Sequence, residues 1–351
     1  MSKNYVMKMI FKVLFLSFTL ALVVQMAHAQ NNIQVGCNVY SKNGTLIKKY
    51  AGQFCLFFND GSFISTFDDH VTMFGKDLSV LWTQNMRAHH QLNYSIDKKN
   101  MLVIGSENIA IKNKDKVEKV RSDVLFILNR SGKIVKKFSL YENRRQFNKI
   151  PWQNAVHRRF KIFMNADKIR FHDSDWELTH TNSFYEVSQS FRIQNPKLKN
   201  AYYVVNDISL MLVFFLDKDL KNIVWQGHLS NEKWTMFHDV QALESGNLLI
   251  YDNGTRDFPK TKITEFNLKK NKVIFSHSVS SKRSNYSPYW GGVQKLTEGG
   301  YLFTDISDGP RIIQINSSGK TVVNFKLPAH VYLQQAKEIN LKSFFKNNQG
   351  I

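Results

Sequence analysis

Short apolar segments alternate with polar turns along almost the whole chain. The segments hold about four to eight residues, are rich in aromatic and β-branched side chains, and are bounded by Gly, Asn, Asp and Ser, as in β-hairpins. Clear pairs are Cys55–Phe58 with Ser62–Thr66, Val124–Leu128 with Lys133–Phe138, and Arg311–Ile315 with Lys320–Phe325. The period of long amphipathic helices is hard to find. The pattern therefore predicts a mostly β protein.

The hairpin at residues 237–254 is the clearest of these units. Its first strand begins at His238, the turn falls at Glu244–Asn247, and the second strand ends at Asp252 and Asn253. Because the two strands of a hairpin run in opposite directions, these polar residues gather at one end of the unit. We expect related polar groups to meet there from other hairpins.

The residues that begin these hairpin units recur at similar intervals along the chain. His180 and His238 are 58 residues apart, and His238 and Trp290 are 52 apart. Four strands repeated every ~40–50 residues are typical of β-propeller blades. The longer gap between His90 and His180 leaves room for a blade and for an irregular, basic insertion at 142–171. We predict a single propeller of five or six four-stranded blades around a central channel; the alternative, a β-sandwich, lacks such a period.

The N-terminus has the pattern of a secretory signal peptide. Lys3, Lys8 and Lys12 precede or enter an apolar run at 13–24, and Ala27-His28-Ala29 forms a cleavage site. We predict a signal peptide at 1–29, a single mature domain at 30–351, and a periplasmic or secreted protein. The run is short for a bilayer span and no second one follows, so no stable membrane anchor is expected. An uncleaved signal anchor is the alternative.

The chain is strongly basic, with a formal net charge of +20 among 351 residues. Cleavage at Ala29 removes three lysines and no acids, which leaves +17. The charge lies in short, dispersed clusters and indicates a solvated surface that attracts anionic substrates, polyanions or anionic envelope components. Export and the lack of a nucleic-acid motif argue against nucleic acid.

Two cysteines, Cys37 and Cys55, lie close together in a chain predicted to be exported. A disulfide and two free thiols are both compatible with this pair. A metal site needs more ligands than two cysteines, and the histidine spacing matches no metal motif. We therefore predict neither a metal nor a cofactor.

Several motifs together resemble the arylsulfotransferase family. The resemblance runs from about Arg87 to Leu327 and rests on the order and spacing of five stretches: Asp175–Ser183 (DWELTHTNS), Leu216–Asp219 with Ile223–Trp225, Phe237–Asp239, Tyr251–Gly254 (YDNG) and Gly291–Gln294.

The resemblance implies a six-bladed propeller that moves a sulfuryl group from a phenolic sulfate to a phenol through a sulfated histidine, without a nucleotide donor. His180 and Asn182 match the family's His-x-Asn-Ser element, His238 a second channel histidine, and Asn253 the Asp-Asn-Gly element. Arg256 follows where the family directs an arginine at the sulfuryl oxygens. The resemblance thus makes His180, His238 and Arg256 candidate catalytic residues, with Asn182 and Asn253 as substrate-binding residues.

His90 and Trp290 complete the predicted substrate site, as first residues of two further units. The resemblance places the nucleophilic histidine later in the chain, where Tyr289-Trp290-Gly291-Gly292 has none, and His277 lies on a segment that we read as an outer strand. Each histidine has a structural alternative, and the tryptophans are also typical of packing between blades.

Two other functions compete with transfer. A noncatalytic propeller would keep the channel and bind an anionic ligand or envelope partner. A surface scaffold without a small-molecule site would have a channel filled by side chains.

Overall fold

The computed structural model describes residues 32–90, 92–113, 116–147, 176–227, 236–254, 260–279, 290–307, 309–328 and 335–339. Six antiparallel sheets form a six-bladed β-propeller, as the sequence predicted. The predicted signal peptide, residues 148–171 of the insertion, and Arg256 lie outside the described residues. Across the described ranges, helix α1 (Gln189–Gln194) and 3-10 helices at Arg144–Gln146 and Pro196–Leu198 are the helical segments.

Blades 1 to 3 follow one another from the N-terminus, and each runs from an inner strand at the channel to an outer strand at the rim. Blade 1 contains β26 (Ala336–Ile339), β1 (Asn32–Val35), β2 (Asn38–Tyr40) and β3 (Leu46–Lys49). Blade 2 contains β4 (Cys55–Phe57), β5 (Phe63–Thr66), β6 (His70–Phe74) and β7 (Val80–Asn85). Blade 3 contains β8 (Arg87–Ala88) and β9 (Asn93–Tyr94) at the channel, then β10 (Asn100–Asn113), β11 (Lys116–Asn129) and β12 (Ile134–Ser139).

Blades 4 to 6 are regular four-stranded sheets. Blade 4 contains β14 (Thr181–Glu186), β15 (Tyr203–Asp207), β16 (Leu212–Leu216) and β17 (Ile223–Gly227). Blade 5 contains β18 (Phe237–Ala242), β19 (Asn247–Asp252), β20 (Lys262–Asn267) and β21 (Lys272–Ser278). Blade 6 contains β22 (Val293–Lys295), β23 (Tyr301–Asp305), β24 (Arg311–Ile315) and β25 (Thr321–Lys326).

Apolar side chains fill every interface between neighbouring blades. Phe184 and Phe214 pack with blade 3 residues such as Leu125, and Val240 and Ile250 pack against blade 4. The remaining interfaces have their own buried clusters. Because both faces of each sheet are covered, middle strands such as β16 and β19 are apolar at most positions. The inner strands, such as β14 and β18, carry more polar residues.

The ring closes by a pairing between distant parts of the chain. Strand β26 lies on the channel side of β1, and Val35 is opposite Ala336 in an antiparallel register. A disulfide between Cys37 and Cys55 joins blade 1 to blade 2. This resolves the two sequence alternatives in favour of the bonded pair.

Strands β10 and β11 continue beyond their pairing with β8 and β12. We call the extension, residues 107–113 and 116–122, the arm. Their register pairs all fourteen residues of each strand, from Asn100 opposite Asn129 to Asn113 opposite Lys116. The sequence analysis did not predict this extension, because it assigned the charged clusters to a solvated surface. Near the blade, β13 (Trp176–Glu177) pairs in parallel with this arm, and buried Val120 packs against Leu178.

The predicted insertion is described only at its beginning. There Phe147 packs edge-on against Phe214 of blade 4, with ring centroids 5.1 Å apart. Gln146 accepts a hydrogen bond from Ile223 N at 2.9 Å, so this segment lies against the outer strand of blade 4. Within the described ranges, no helix has both the length and the apolar character needed to cross a bilayer.

Candidate functional site

Four histidines from three neighbouring blades meet at one end of the channel. His180 directly precedes β14 and His238 is the second residue of β18, so the starts of two inner strands bring them together. The ring centroid of His90 lies 4.9 Å from that of His180 and 5.7 Å from that of His238. His89 lies 6.0 Å from His180. The structure therefore gathers three of the predicted site residues, and His89 with them.

A break in the inner strand of blade 3 places His89 and His90. Strands β8 and β9 pair with separate parts of β10, and the histidines lie between them. His90 has φ of 63°, a left-handed conformation that costs a non-glycine residue free energy and is often found at functional sites. The Nδ1 atoms of the two imidazoles are 2.5 Å apart, so these rings share a hydrogen bond.

Asp123 connects His89 to the start of β14. It is 1% exposed and lies on β11 behind the histidines. Its Oδ1 atom is 2.9 Å from His89 Nε2, and its Oδ2 atom accepts a hydrogen bond from Thr181 N. The pairing of the carboxylate with Nε2 leaves Nδ1 of His89 directed at His90.

Glu177 holds His180 in a similar way. Its Oε2 atom is 2.7 Å from His180 Nδ1, and its other oxygen pairs with Arg121 of the arm. Asp207, at the end of β15, accepts a hydrogen bond from His180 N at 3.1 Å. Because both side-chain and main-chain atoms are held, the orientation of this ring is well defined.

Burial makes His90, His180 and His238 poor bases. It lowers the pKa of His238 to about 3, with nearby His180 adding to the effect. Burial and the charges of His89 and the other neighbours hold the pKa of His90 well below its ordinary value. The pKa of His180 is also lowered, because burial outweighs the attraction of the nearby carboxylates. At neutral pH these three imidazoles are uncharged, which leaves them ring nitrogens with lone pairs.

The two aspartates behind the cluster differ in charge. Burial disfavours the charged form of Asp123, but His89 and its hydrogen bonds outweigh this and lower the pKa of the carboxyl. Burial and the proximity of Asp123 raise the pKa of Asp207 to about 7. Asp123 is therefore ionised beneath the histidines, whereas Asp207 is partly protonated at neutral pH.

Two buried polar atoms at the cluster lack partners among the described residues. They are Nε2 of His238 and Oδ1 of Asn182. Asn182 Nδ2 does donate to Phe237 O, at 3.3 Å. Buried polar atoms are nearly always hydrogen-bonded, so such a pair is characteristic of a site that a ligand completes.

Asn253 and Trp290 lie at the next blade junction. Asn253 Nδ2 donates to the carbonyl oxygen of Trp290 at 2.7 Å, and the Trp290 ring packs on the apolar cluster between blades 6 and 1. The following Gly291 has φ of 126°, and a Cβ there would lie 2.1 Å from the Tyr251 ring. These contacts fix the backbone between blades 5 and 6; none places the Trp290 ring among the histidines.

The sequence interpretation missed Arg121, Asp123 and Glu177. Asp123 stands at the head of the apolar run Val124–Leu128, and an acid next to a buried strand was a usable signal. His277 lies on the outer strand β21, as predicted, with its ring centroid 6.0 Å from that of Phe303.

Beside the histidines, polar side chains from opposite blades meet across the channel. Gln335, just before β26, donates to Tyr185 Oη at 2.8 Å and to Asp239 Oδ2 at 3.2 Å. Lys337 donates to Asn93 Oδ1 at 2.9 Å, and burial lowers the pKa of its ammonium to about 8. Side chains thus bridge part of the channel. Within the described ranges, no group of three or more His, Cys, Asp or Glu is arranged to hold a metal ion.

Among solved structures, one shows a similar fold over most of the chain. A protein of unknown function from Bacteroides caccae has a TM-score of 0.54 at 13% sequence identity, over 88% of this chain and 98% of that one. Kuenenia stuttgartiensis hydrazine synthase has a TM-score of 0.44 at 10% identity, over 80% of this chain and 68% of that one. No curated protein matched.

The family comparison gives the assignment. The model of the arylsulfotransferase (ASST) family matches residues 57–327, which include every histidine of the cluster and the carboxylates behind them. The match covers most of the chain, as the motifs in the sequence suggested. The chain therefore belongs to the arylsulfotransferase family.

Proposed function

We propose that this chain is an exported arylsulfotransferase that moves a sulfuryl group from a phenolic sulfate to a phenol through a channel histidine, without a nucleotide donor. Family membership supports arylsulfotransferase-like activity in general. The observation that carries the finer proposal is the cluster of four imidazoles in which two rings, His89 and His180, are paired with carboxylates.

His238 is the proposed nucleophile. Its imidazole is uncharged at neutral pH, and its Nε2 atom has no partner among the described residues. A neutral imidazole nitrogen can attack sulfur and form a covalent intermediate. In the first half-reaction the bond from Nε2 to sulfur forms as the bond from sulfur to the aryl oxygen breaks. The bonding electron pair leaves on the aryl oxygen.

His180 is the proposed proton donor to that oxygen. Glu177 orients its ring through Nδ1, and the proton comes from Nε2 of the minor, protonated form of His180. In the second half-reaction the acceptor phenol returns a proton to His180 as its oxygen attacks sulfur. The bond from sulfur to His238 then breaks and the electron pair returns to Nε2. Donor and acceptor therefore react alternately at one site.

Positive charge is needed where the sulfuryl oxygens accumulate charge. Arg121 supplies it within the described residues, since its charge contributes to the low pKa values of His90 and His180. Arg256 remains a second candidate from the sequence. Asn182 and Asn253 would orient the reacting groups by hydrogen bonds. The disulfide of Cys37 and Cys55 is compatible with an oxidising compartment and supports export.

The experiment uses the purified chain, a chromogenic aryl sulfate and a phenol acceptor. We expect release of the coloured phenol that depends on the acceptor, and an acid-labile sulfuryl adduct that peptide mass spectrometry locates on His238. The absence of both turnover and adduct would reject the proposal. Binding of the aryl sulfate without turnover, unchanged in His238→Ala, would instead support the noncatalytic alternative.

A further inference from the structure

The propeller has two ends of different character. Each inner strand starts at the histidine end, and successive strands of a blade are antiparallel. The turns from the first to the second strand and from the third to the fourth therefore lie together at the opposite end. We call this end the lysine face and define it by the turns 41–45, 58–62, 75–79, 95–99, 130–133, 187–202, 217–222, 243–246, 268–271, 296–300 and 316–320.

Basic residues outnumber acidic ones two to one on the lysine face. Fourteen lysines and arginines lie there: Lys42, Lys76, Lys98, Lys99, Arg130, Lys133, Arg192, Lys197, Lys199, Lys218, Lys221, Lys269, Lys270 and Lys320. The seven acids are Asp60, Asp77, Asp97, Asp217, Asp219, Glu244 and Glu298. Only some of the basic groups are neutralised by them, as Arg130 is by Asp60 at 2.6 Å. The face carries a net positive charge.

Exposed apolar side chains collect at the same end. Twelve of the thirteen large, exposed apolar residues that the described ranges contain lie in these turns or in the first three residues of the outer strand that follows: Leu46, Ile47, Leu78, Val80, Leu81, Ile96, Ile134, Val135, Ile193, Val273, Ile274 and Val322. The thirteenth, Val117, is on the arm at the histidine end. Val80 is 61% exposed and Ile193 is 65% exposed. Apolar and basic side chains thus occur together at this end, a combination that marks an interaction surface.

We propose that the lysine face docks on an anionic lipid surface. The residues are spread around the end of a ring rather than gathered in a groove, so they fit a broad, flat partner. Lysines attract acidic headgroups, and short apolar side chains between them enter the headgroup boundary. A soluble polyanion would use the lysines but leave the apolar residues in water. A second copy docked face to face would meet the same positive charge.

Docking in this way leaves the histidine cluster directed away from the membrane. Substrates would reach the cluster from the aqueous side, and acidic headgroups would not compete with an aryl sulfate there. This proposal does not depend on sulfuryl transfer, because lipid binding is measured without turnover.

The test is co-sedimentation of the purified, signal-free chain with vesicles. We expect binding to vesicles of phosphatidylcholine mixed with phosphatidylglycerol, little binding to phosphatidylcholine alone, and release of most of the protein at high salt. Lys269→Glu with Lys270→Glu should weaken binding at least about 25-fold, because each of the two basic residues near an anionic surface contributes roughly fivefold. Val80→Ser with Leu81→Ser should weaken the binding that persists at high salt.

A matched control lies at the other end of the molecule. Lys119→Glu with Val117→Ser changes one basic and one exposed apolar residue of the arm, and should leave vesicle binding unchanged. Thermal melting checks that every variant folds. Hydrogen exchange of the unaltered chain should show vesicle-dependent protection at 75–82 and 268–274 but not at 116–121.

The proposal is overturned if the chain binds neither kind of vesicle. It is also overturned if the arm variant loses as much vesicle binding as the lysine-face variants. Equal binding to neutral and acidic vesicles overturns the role of charge. Retention on a sulfated polysaccharide without binding to acidic vesicles assigns the face to a soluble polyanion instead.

Discussion

Blades 3, 4 and 5 have nearly the same strand order as blades 6, 1 and 2, yet they present different chemistry to the channel. The first group supplies all the channel histidines among the described residues, with carboxylates behind them. The second group supplies Gln335, Lys337 and the disulfide between Cys37 and Cys55. Blades 4 and 5 contribute their histidines from regular sheets, whereas blade 3 departs from the hairpin repeat: its inner strand breaks at His90, and β10 and β11 extend into an arm.

We call blades 3, 4 and 5 the reactive half of the ring, and blades 6, 1 and 2, which contain the disulfide and the closing strand pair, the structural half. Variants in the first half should change the rate and leave stability largely intact, because they alter polar groups near the channel opening. Variants in the second half should do the reverse. Four measurements test that division.

His238→Ala should have the largest effect. Loss of the proposed nucleophile should lower kcat at least about a thousandfold and abolish the sulfuryl adduct. The assay is release of the coloured phenol, with the adduct followed by mass spectrometry. His277→Ala, on the outer strand of the same blade, is the matched control and should keep normal turnover. Full activity of His238→Ala would show that another residue is the nucleophile.

Removing the disulfide should affect stability instead. In Cys37→Ser with Cys55→Ser, the free energy of unfolding should fall by about 3 kcal/mol, as expected for a crosslink that closes a loop of about 18 residues. Denaturant titration measures this. Activity per folded molecule should stay the same, since the cysteines lie in blades 1 and 2. A selective loss of kcat with unchanged stability would contradict the division of the ring.

Glu177→Gln should lower activity rather than stability, because Glu177 lies in the reactive half of the ring. The variant keeps the size of the side chain but removes the charge that orients His180 and pairs with Arg121. We expect kcat to fall about a hundredfold with a small change in KM, because the proton donor loses its alignment. Glu186→Gln, on the inner strand of blade 4, is the control. Equal effects of the two variants would assign Glu177 a structural role only.

The pH dependence of adduct formation is the smallest of the four effects. The pKa of His180 is lowered below 6.5, so its protonated fraction should grow up to about tenfold for each unit that the pH falls between 8 and 6.5. His238 stays neutral over this range, since its pKa is about 3. The rate of the first half-reaction should therefore rise towards acidic pH. Stopped-flow measurement should show this slope lost in His180→Gln; a rate that falls with falling pH would reverse the assigned roles.

The sequence predicted the scaffold well because blades repeat a local signal. Alternating apolar segments and turn residues mark each hairpin, and the spacing of His180, His238 and Trp290 marks successive blades. Five or six blades follow from that period and the chain length, and the structure has six. The start of β14 is harder to predict, because Thr181-Asn182-Ser183 looks like a turn until its pairing with β15 is known.

The site could be predicted only in part. His180 and His238 stand out as polar residues at strand starts, whereas Arg121, Asp123 and Glu177 lie in stretches whose pattern indicates a charged surface or an ordinary strand. They meet the histidines only through pairing across blades: the register of β10 with β11, and of β13 with β11, brings Arg121 beside Glu177. No local spacing in the chain encodes those registers.

The junction of β26 with β1 sets an order of events for folding. This pairing joins residues about 300 positions apart, so its loop-closure entropy is the largest in the molecule and it should form after the hairpins. Until then Gln335 and Lys337 are exposed to water, and their hydrogen bonds to residues of other blades have not formed. The pairing of β26 with β1 should also open first at low denaturant concentration. Water would then enter the channel at blade 1, opposite blade 4, while the neighbouring blades stay folded.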